Sequence, residues 1–396
     1  MLKVTVVGGS IAGLCAGIAL RGTGCNVDIY ERASGPMTSR GAGIVAQQQL
    51  LHLLHRHGAP DLPTTSSQYR QYLLPDGDEG VRAEMPLQLT SWHAIYRTLR
   101  SAFSGELYHP GSTLTGFDQA GGRVVARFAE RTDIETDLLI CADGSRSETR
   151  RRLLPEVQLS YAGYVAWRGT VEEETVPPEL VRFFDQSFTI CEGRSGGHIL
   201  CYLIPGADAC TEEGRRQLNW VWYVGVPNGP ELERLLTDKH GVLHEASVPI
   251  GLVPTELVAE VHATAAAELH PCLVELVQRT PDPFIQAIVD VVVPHMAFGR
   301  LCLLGDAAFV LRPHPAAATA KAAADATALA AALAADPDDP SCALRAWETK
   351  QLAYGRGLSD QAIALGRRSV EQHAGSRTMA DVVERFSGIS PLLPLA

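Results

Sequence analysis

The 396-residue sequence predicts a two-domain α/β protein, with a parallel sheet in one domain, a mostly antiparallel sheet in the second, and helices towards the C-terminus. Three observations support this fold class. The chain opens with an apolar run, a glycine turn and an alanine-rich run, which predict a strand, a turn and a helix. Residues 161–285 contain runs of β-branched and aromatic residues that are typical of antiparallel strands. Residues 316–335 and 340–368 have helical composition and periodicity.

The composition is that of an ordinary globular protein. Hydrophobic residues make up 46% and charged residues 20% of the chain, which argues against a disordered, collagen-like or coiled-coil protein. The net charge of −11 provides no basic surface for nucleic acid or an anionic membrane, and no run approaches the roughly 20 apolar residues that span a bilayer. The nine cysteines form no CxxC or Cys/His cluster, so we expect no metal site, no disulfide framework and a cytoplasmic location.

The N-terminal unit has the order of a dinucleotide-binding motif. Strands are predicted at residues 2–7 and 27–30, on either side of a helix at residues 11–20. The turn between them reads Gly8-Gly9-Ser10-Ile11-Ala12-Gly13, with serine in place of the middle glycine of GxGxxG. The outer glycines permit a tight turn and close packing, and the helix N-terminus offers N–H groups to a pyrophosphate. Alone, this motif is also compatible with a tight turn that binds no ligand.

Carboxylates follow three of the predicted strands. Glu31 follows the second strand, where it can accept hydrogen bonds from ribose hydroxyls. Asp143-Gly144 follows a strand that ends near residue 142, and Gly305-Asp306 follows a strand at residues 301–304. Ligands of α/β sheets bind outside the carboxyl ends of the strands. The N-terminus of the helix that begins near Ala316 provides a second cradle for phosphate and ribitol.

These spaced signals resemble those of the group A flavin-dependent aromatic hydroxylases, over nearly the whole chain. Several stretches are most similar to the members of this family that hydroxylate dihydroxypyridines: residues 161–169, 305–308, 312–314, 320–322 and 347–351. Three features depart from the usual family pattern. Ala316, Ala318 and Ala320 replace glycines and an asparagine. Phe309 replaces a histidine, and Tyr96 stands where the Arg-x-x-Leu element has its arginine, so it stays open whether Tyr96 or Arg97 contacts phosphate.

The resemblance implies an FAD-binding domain and a substrate-binding domain. We assign residues 1–75, 97–160 and 286–368 to the first, 76–96 and 161–285 to the second, and 369–396 to a C-terminal tail. The residues expected to contact FAD are Gly8, Gly9, Ser10, Ile11, Ala12, Gly13, Glu31, Arg32, Arg40, Gly43, Tyr96, Asp143, Gly144, Gly305, Asp306, Ala316, Ala317 and Ala318.

The activity that the resemblance implies is hydroxylation of a small hydroxylated ring, a phenol, pyridinol or pyridone, through a C4a-hydroperoxyflavin. NADH or NADPH and molecular oxygen are the expected co-substrates, and the sequence does not distinguish the two nicotinamides. The protein has to hold the ring close to the flavin and exclude water. A homodimer is compatible with the sequence, but no sequence feature requires one.

Residues of the second domain and of the turn before the alanine-rich helix are candidates for the substrate pocket. In the predicted strand around Tyr223, period-two alternation places Val221 and Tyr223 on one face. We expect Tyr223 and His314 to act in catalysis, and the expected substrate contacts are Gln47, His198, Tyr202 and Pro313.

Each of these assignments has a structural alternative. Tyr223 and His198 can be ordinary buried residues, and His314 either accepts a substrate proton or caps the following helix. Arg168 either orients an anionic ring or braces the domain junction. For the whole chain, the alternatives are an NAD(P)-dependent dehydrogenase without flavin and a non-catalytic protein that retains the FAD-binding fold.

Overall fold

The parallel sheet contains the N-terminal unit, as predicted. A computed structural model describes residues 1–35, 37, 43–77, 80–371 and 378–387. Its six-stranded sheet has the strand order Ala297–Phe298, Leu301–Leu303, Leu138–Cys141, Lys3–Val7, Asn26–Tyr30 and Tyr108–His109. All of its pairs are parallel except the one between the first two strands. The carboxyl ends of the central strands therefore meet at one edge of the sheet.

The second sheet has ten strands and is mostly antiparallel. Its main path runs Ser247–Val248, Phe284–Val292, Ser160–Glu172, Gln217–Gly225, His198–Ile204, Ser187–Glu192, Thr65–Leu73, Val81–Ser91 and Gly43–Val45. Phe309–Val310 pairs with Phe284–Val292 outside this path. A small sheet of Leu114–Ala120, Arg123–Phe128 and Ile134–Thr136 completes the β structure of the described residues. The predicted fold class is confirmed.

The α-helices cover both sheets. They are Ile11–Arg21, Gln48–Arg56, Trp92–Ala102, Glu148–Leu153, Pro178–Phe184, Pro230–Leu236, Thr255–Glu268, Pro271–Gln278, Ala318–Ala335, Pro340–Gly366 and Met379–Ser387. The alanine-rich helix Ala318–Ala335 packs against Ile11–Arg21 on one side and Pro340–Gly366 on the other. Of the helices that the structure describes, none has the length and apolar composition needed to cross a bilayer.

The strand pairing differs from the predicted domain division in four segments. Residues 286–292 of the strand Phe284–Val292, together with Phe309–Val310, belong to the ten-stranded sheet, although residues 286–368 were assigned to the FAD-binding domain. Gly43–Val45 and Thr65–Leu73 also belong to the ten-stranded sheet, although residues 1–75 were assigned to the FAD-binding domain. Thr65–Leu73 pairs in parallel with Ser187–Glu192, more than a hundred residues later. On its other edge Thr65–Leu73 pairs antiparallel with Val81–Ser91, the next strand in the chain, so the predicted boundary at residue 75 divides a hairpin.

The C-terminal segment is more than a tail. Met379–Ser387 is a helix that buries Val382 and Phe386 against the ten-stranded sheet. The Arg70 Nη1 donates a hydrogen bond of 2.7 Å to the carbonyl oxygen of Phe386, and Arg385 forms an ion pair with buried Glu192. The last described turn of the chain is therefore fixed to the sheet by polar as well as apolar contacts.

The helix Pro340–Gly366 approaches the alanine-rich helix most closely at a glycine. A Cβ at Gly355 would lie 2.7 Å from Cε2 of Phe309 and 2.9 Å from Cε of Lys321. Gly357, two residues later, faces open space. The packing of this helix therefore requires glycine at 355, as it does at Gly366 beside the Tyr164 hydroxyl, but not at 357.

We predict opposite effects for alanine at positions 355 and 357. Gly355→Ala forces Phe309 or Lys321 to move, and we expect it to lower the free energy of unfolding by about 1–3 kcal/mol. Gly357→Ala, the matched control, adds only helix propensity and is expected to raise it by up to about 1 kcal/mol. Urea unfolding of both variants measures the difference; equal effects would contradict the close packing at Gly355.

Candidate active site

Two cavities meet at the carboxyl edge of the parallel sheet. The smaller, of about 260 Å³, is lined by residues that follow three of its strands, among them Gly8, Glu31 and Asp143. The larger, of about 420 Å³, lies between the ten-stranded sheet and the turn that precedes the alanine-rich helix. Residues common to both linings are Trp92, Ser145, Arg146 and Asp306. The two spaces therefore form one continuous site, long enough for a dinucleotide with a ring at its end.

The glycine turn brings main chain, rather than side chains, to the smaller cavity. Gly8 has φ +98°, and a Cβ there would lie 2.2 Å from the carbonyl oxygen of Ala142. A Cβ at Gly13 would lie 1.8 Å from the carbonyl oxygen of Gly8. The helix begins at Ile11 with no side-chain cap from Ser10, which lines the cavity. The first N–H groups of the helix are thus open to an anion such as pyrophosphate.

The predicted carboxylates Glu31 and Asp143 bind the main chain as well as facing the cavity. The N–H groups of Gly9 and Ala33 donate to Glu31 at 2.7 and 2.8 Å. Asp143 accepts from Ser147 Oγ at 2.6 Å and from the N–H of Thr149 at 3.1 Å, and so caps the helix Glu148–Leu153. Both carboxylates therefore fix the loops that surround the site, and each lines the smaller cavity together with its neighbour, Arg32 or Gly144.

Asp306 lies where the cavities join. Desolvation by the surrounding protein raises the pKa of the Asp306 carboxyl to about 6, whereas the charges of Lys321 and Arg150 lower it. Arg150 is fully buried and donates to the carbonyl oxygen of Ala307 at 3.1 Å. Sequence analysis missed Arg150, because the run of three arginines at 150–152 is typical of an exposed helix end.

A buried ion pair supports the turn that presents Asp306. Lys321 Nζ lies 2.6 Å from Asp325 Oδ2, and neither side chain reaches solvent. The same oxygen accepts the N–H of Gly305 at 3.3 Å, and Gly305 has φ +64°. Phe309, the departure from the family pattern, places its ring centroid 4.5 Å from Lys321 Nζ. The substitution of histidine by Phe309 thus belongs to the packing of this ion pair.

Other predicted FAD contacts are divided between the cavity and the core. Gly43, Ala316 and Ala318 line the larger cavity, whereas Ala317 is buried beneath it. Gly9, Ile11, Ala12, Gly13 and Gly305 support the turns without lining either cavity. Arg40 lies outside the described residues.

Tyr96 does not reach the cavity. Its ring stacks on Trp92 at a centroid distance of 5.2 Å, and its hydroxyl lies 3.3 Å from that of Tyr108. Arg97 points away and donates to the carbonyl oxygen of Asp208. Trp92 lies one turn before Tyr96 on the same face of the helix, and it lines both cavities in place of Tyr96. The sequence analysis did not identify Trp92 or Arg146.

The larger cavity brings together five of the six residues predicted for substrate and catalysis. His198, Tyr202, Tyr223, Pro313 and His314 all line it. Gln47 does not: it is fully buried, and its Nε2 donates to the carbonyl oxygen of Ala316 at 3.3 Å. Val221 and Tyr223 share the cavity face of their strand, as predicted, while Trp220 and Trp222 pack on the opposite face.

The aromatic rings of the cavity form one cluster. The ring of Tyr223 lies 4.9 Å from that of His314 and 5.0 Å from that of His198. Phe386, from the C-terminal helix, lies 5.0 Å from His198 and adds a wall that the sequence did not predict. Arg168 also lines this cavity and makes no hydrogen bond or ion pair with the residues that the structure describes.

Both cavity histidines are neutral at pH 7. Burial lowers the pKa of His198 to about 4, while a hydrogen bond with the Ser369 carbonyl acts in the opposite direction. Burial, together with the charges of His198 and Arg312, holds the pKa of His314 well below its usual value. The cluster therefore contributes aromatic surface and neutral polar atoms, while the positive charge of the cavity comes from Arg70, Arg146 and Arg168.

Comparisons with known proteins agree with this geometry. Residues 161–290 match a family model described as FAD binding domain-like. The chain belongs to the FAD-dependent aromatic hydroxylases, because it shares 35% identity over 378 residues with a curated enzyme of that family. This relative is the 2,6-dihydroxypyridine 3-monooxygenase of Paenarthrobacter nicotinovorans, and the match covers 94% of this chain and 92% of the relative.

A solved structure and a second curated relative extend the similarity. The 2,6-dihydroxypyridine-3-hydroxylase from Arthrobacter nicotinovorans superposes with a TM-score of 0.86 at 34% identity, and the match covers 93% of both chains. The 6-hydroxynicotinate 3-monooxygenase of Pseudomonas fluorescens is 29% identical, over 82% of this chain and 80% of the relative. The chain is therefore a flavoprotein enzyme, and neither the flavin-independent dehydrogenase nor the non-catalytic protein applies.

The neutral state of His198 predicts acid sensitivity of the fold. The unfolded chain binds a proton at this residue below about pH 6.5, whereas the folded imidazole stays neutral down to about pH 4. The contribution of His198 to the free energy of unfolding is therefore fully present above about pH 6.5. It falls as the pH decreases, and the free energy of unfolding is lower by about 3 kcal/mol at pH 4.

We expect His198→Phe to reduce this pH dependence. Urea unfolding between pH 4 and 7 would show the variant losing about 3 kcal/mol less than the wild type. His295→Gln is the control, because the side chain of His295 is 65% exposed. If plots of the free energy of unfolding against pH are parallel for the wild type and His198→Phe, the burial of a neutral His198 does not govern the acid sensitivity.

Proposed function

We propose that this enzyme hydroxylates a small hydroxylated aromatic ring, a phenol, pyridinol or pyridone, with FAD, molecular oxygen, and NADH or NADPH. The observation that carries the proposal is the joining of the two cavities at Asp306 and Arg146. One cavity has the main-chain turns of a dinucleotide site, and the other has the size and the aromatic lining of a site for a small ring. The names of the curated relatives favour a pyridine ring.

The residues around the smaller cavity fit FAD. The turn at Gly8 leaves no room for a Cβ, and the helix after it presents its N–H groups to the same space. Glu31 is in position for the adenosine ribose, Ser10 for the pyrophosphate, and Asp306 for the ribityl chain. Gly43 and Ala318 leave space for the flavin ring at the larger cavity. When bound, FAD supplies the redox chemistry that couples NAD(P)H oxidation to oxygen activation.

The residues of the larger cavity bind and orient the ring and exclude water. Tyr202, Tyr223 and Phe386 enclose the space with aromatic surface, and all three are nearly inaccessible to solvent. A dry, shaped pocket raises the effective concentration of the ring and suppresses loss of the activated oxygen to water. Arg168 adds a positive charge that suits a ring with an anionic oxygen.

We also propose that the enzyme works in the cytoplasm. All nine cysteines are unpaired, and five of them are buried. A chain with this many free thiols suits a reducing compartment.

The first test is an absorbance spectrum of the purified protein, followed by NAD(P)H oxidation with a panel of hydroxypyridines and phenols. We expect a yellow protein whose NAD(P)H oxidation accelerates with at least one hydroxypyridine, and a product that has gained one oxygen atom. A protein that cannot be reconstituted with FAD, or that oxidises NAD(P)H equally with and without every ring, would contradict the proposal.

Asp306→Ala tests the point where the cavities join. Loss of the carboxylate removes a polar group that lines both cavities, and we expect FAD to dissociate at least tenfold more readily, about 1.4 kcal/mol. Ultrafiltration followed by the flavin absorbance of the retained protein measures the change. Asp338→Ala, at an exposed position on the loop after the alanine-rich helix, is the control and is expected to retain FAD as the wild type does.

A further inference from the structure

His314 has the substrate cavity on one side and Tyr164 on the other. The Tyr164 hydroxyl oxygen lies 2.7 Å from His314 Nε2, and either atom could donate. The whole of Tyr164 is inaccessible to solvent, so no bulk water can take the hydroxyl proton. The direction of this one hydrogen bond decides which nitrogen of His314 carries its proton.

The neighbours of Tyr164 settle the direction. Arg312 lies over the Tyr164 ring, with its guanidinium carbon 5.6 Å from the ring centroid, and Asp290 holds it through both Nε and Nη2 at 2.9–3.1 Å. A guanidinium has only donors. Within the described ranges, His314 Nε2 is therefore the only acceptor in contact with the Tyr164 hydroxyl. If His314 donated instead, the tyrosine proton would be buried without a partner, which costs about 1–3 kcal/mol.

A neutral imidazole has one N–H group, and burial keeps His314 neutral. Because Nε2 accepts a hydrogen bond from the Tyr164 hydroxyl, we infer that His314 carries its own proton on Nδ1 and presents this N–H to the cavity as a hydrogen-bond donor. Tyr164 is then a positioning residue, held in turn by Arg312 and Asp290. Of the described residues, none accepts a hydrogen bond from Nδ1, so this N–H is available to a ligand.

This inference rests on the proposed function and defines the substrate more closely. A donor at this place binds a carbonyl or oxyanion oxygen of the ring more strongly than a neutral hydroxyl, and it cannot remove a proton from that hydroxyl. The guanidinium of Arg168, in the same cavity, favours the same ligand. The substrate class is therefore a ring that enters as the pyridone or already ionised, and His314 is not its base.

Nitrogen-15 NMR of histidine-labelled, FAD-bound protein tests the tautomer without any turnover. We expect the His314 signals to show a protonated Nδ1 and an unprotonated Nε2. The signals are assigned by their loss in His314→Gln or, if that variant does not fold, by their response to Tyr164→Phe. A protonated Nε2 in the wild type would overturn the inference.

The matched pair of tyrosine variants separates this contact from general packing. Tyr164→Phe removes only the hydroxyl and is expected to shift the His314 signals towards a mixture of tautomers. Tyr161→Phe, in the same strand, loses a hydroxyl that donates to the carbonyl oxygen of Val226, and we expect no change in the His314 signals. Equal responses to the two variants would contradict a specific role for Tyr164.

Ligand binding, followed by the change in flavin absorbance, provides the second readout. With a phenol that ionises between pH 6 and 9, which has no pyridone form, affinity should rise with pH and level off above the ligand's own pKa. Tyr164→Phe should weaken binding of the ionised ligand about tenfold and leave FAD retention unchanged. Tighter binding of the neutral form would mean that His314 acts as a base. Failure of every ring to bind would contradict the proposed function, while the NMR result would still decide the tautomer.

Discussion

The buried ion pair between Lys321 and Asp325 is the constraint on which the active site depends. Neither charge reaches water, so each must be compensated inside the protein. The Asp325 carboxylate accepts hydrogen bonds from the N–H of Gly305 and from Lys321. The backbone carbonyl of Asp325 accepts the Trp347 indole N–H at 3.0 Å. The turn after the parallel sheet, the alanine-rich helix and the following long helix are joined at this one residue, the first two through its carboxylate and the third through its backbone carbonyl. The position of Asp306, and with it the junction of the two cavities, follows from that arrangement.

The charged groups that follow the strands form hydrogen bonds that hold the surrounding loops in place without a ligand. Glu31 and Asp143 each accept two hydrogen bonds from their own surroundings, and Arg150 links the loop after Asp143 to the turn after Asp306. A site assembled in this way is rigid before the cofactor arrives. Rigid loops lose little conformational freedom on binding, which strengthens the binding of a large flexible dinucleotide.

Local patterns in the sequence predicted the helices and strands themselves, but not which of them contact one another in the folded chain. The strand His198–Ile204 and the helix that begins at Ile11 were predicted to within a residue or two, because period and turn residues define them. The predicted boundary at residue 75 separated Thr65–Leu73 from its hairpin partner Val81–Ser91. Trp92, Tyr164 and Phe386 contribute through contacts that only the folded chain creates. Gln47 was placed at the ring by resemblance, yet its amide binds the Ala316 carbonyl in the core. Five of the six pocket residues were predicted by combining strand alternation with the family resemblance, whereas walls from distant segments, such as Phe386, followed from no local pattern.

The strand order of the parallel sheet also has a consequence for synthesis of the protein. Leu301–Leu303 pairs with Leu138–Cys141, which pairs with Lys3–Val7, so the sheet that starts the chain is completed only some 300 residues later. On the ribosome, most of the ten-stranded sheet is made before the first domain can close. The two domains therefore cannot fold strictly one after the other, and the exposed edge of Leu138–Cys141 must be protected during translation until its partner emerges.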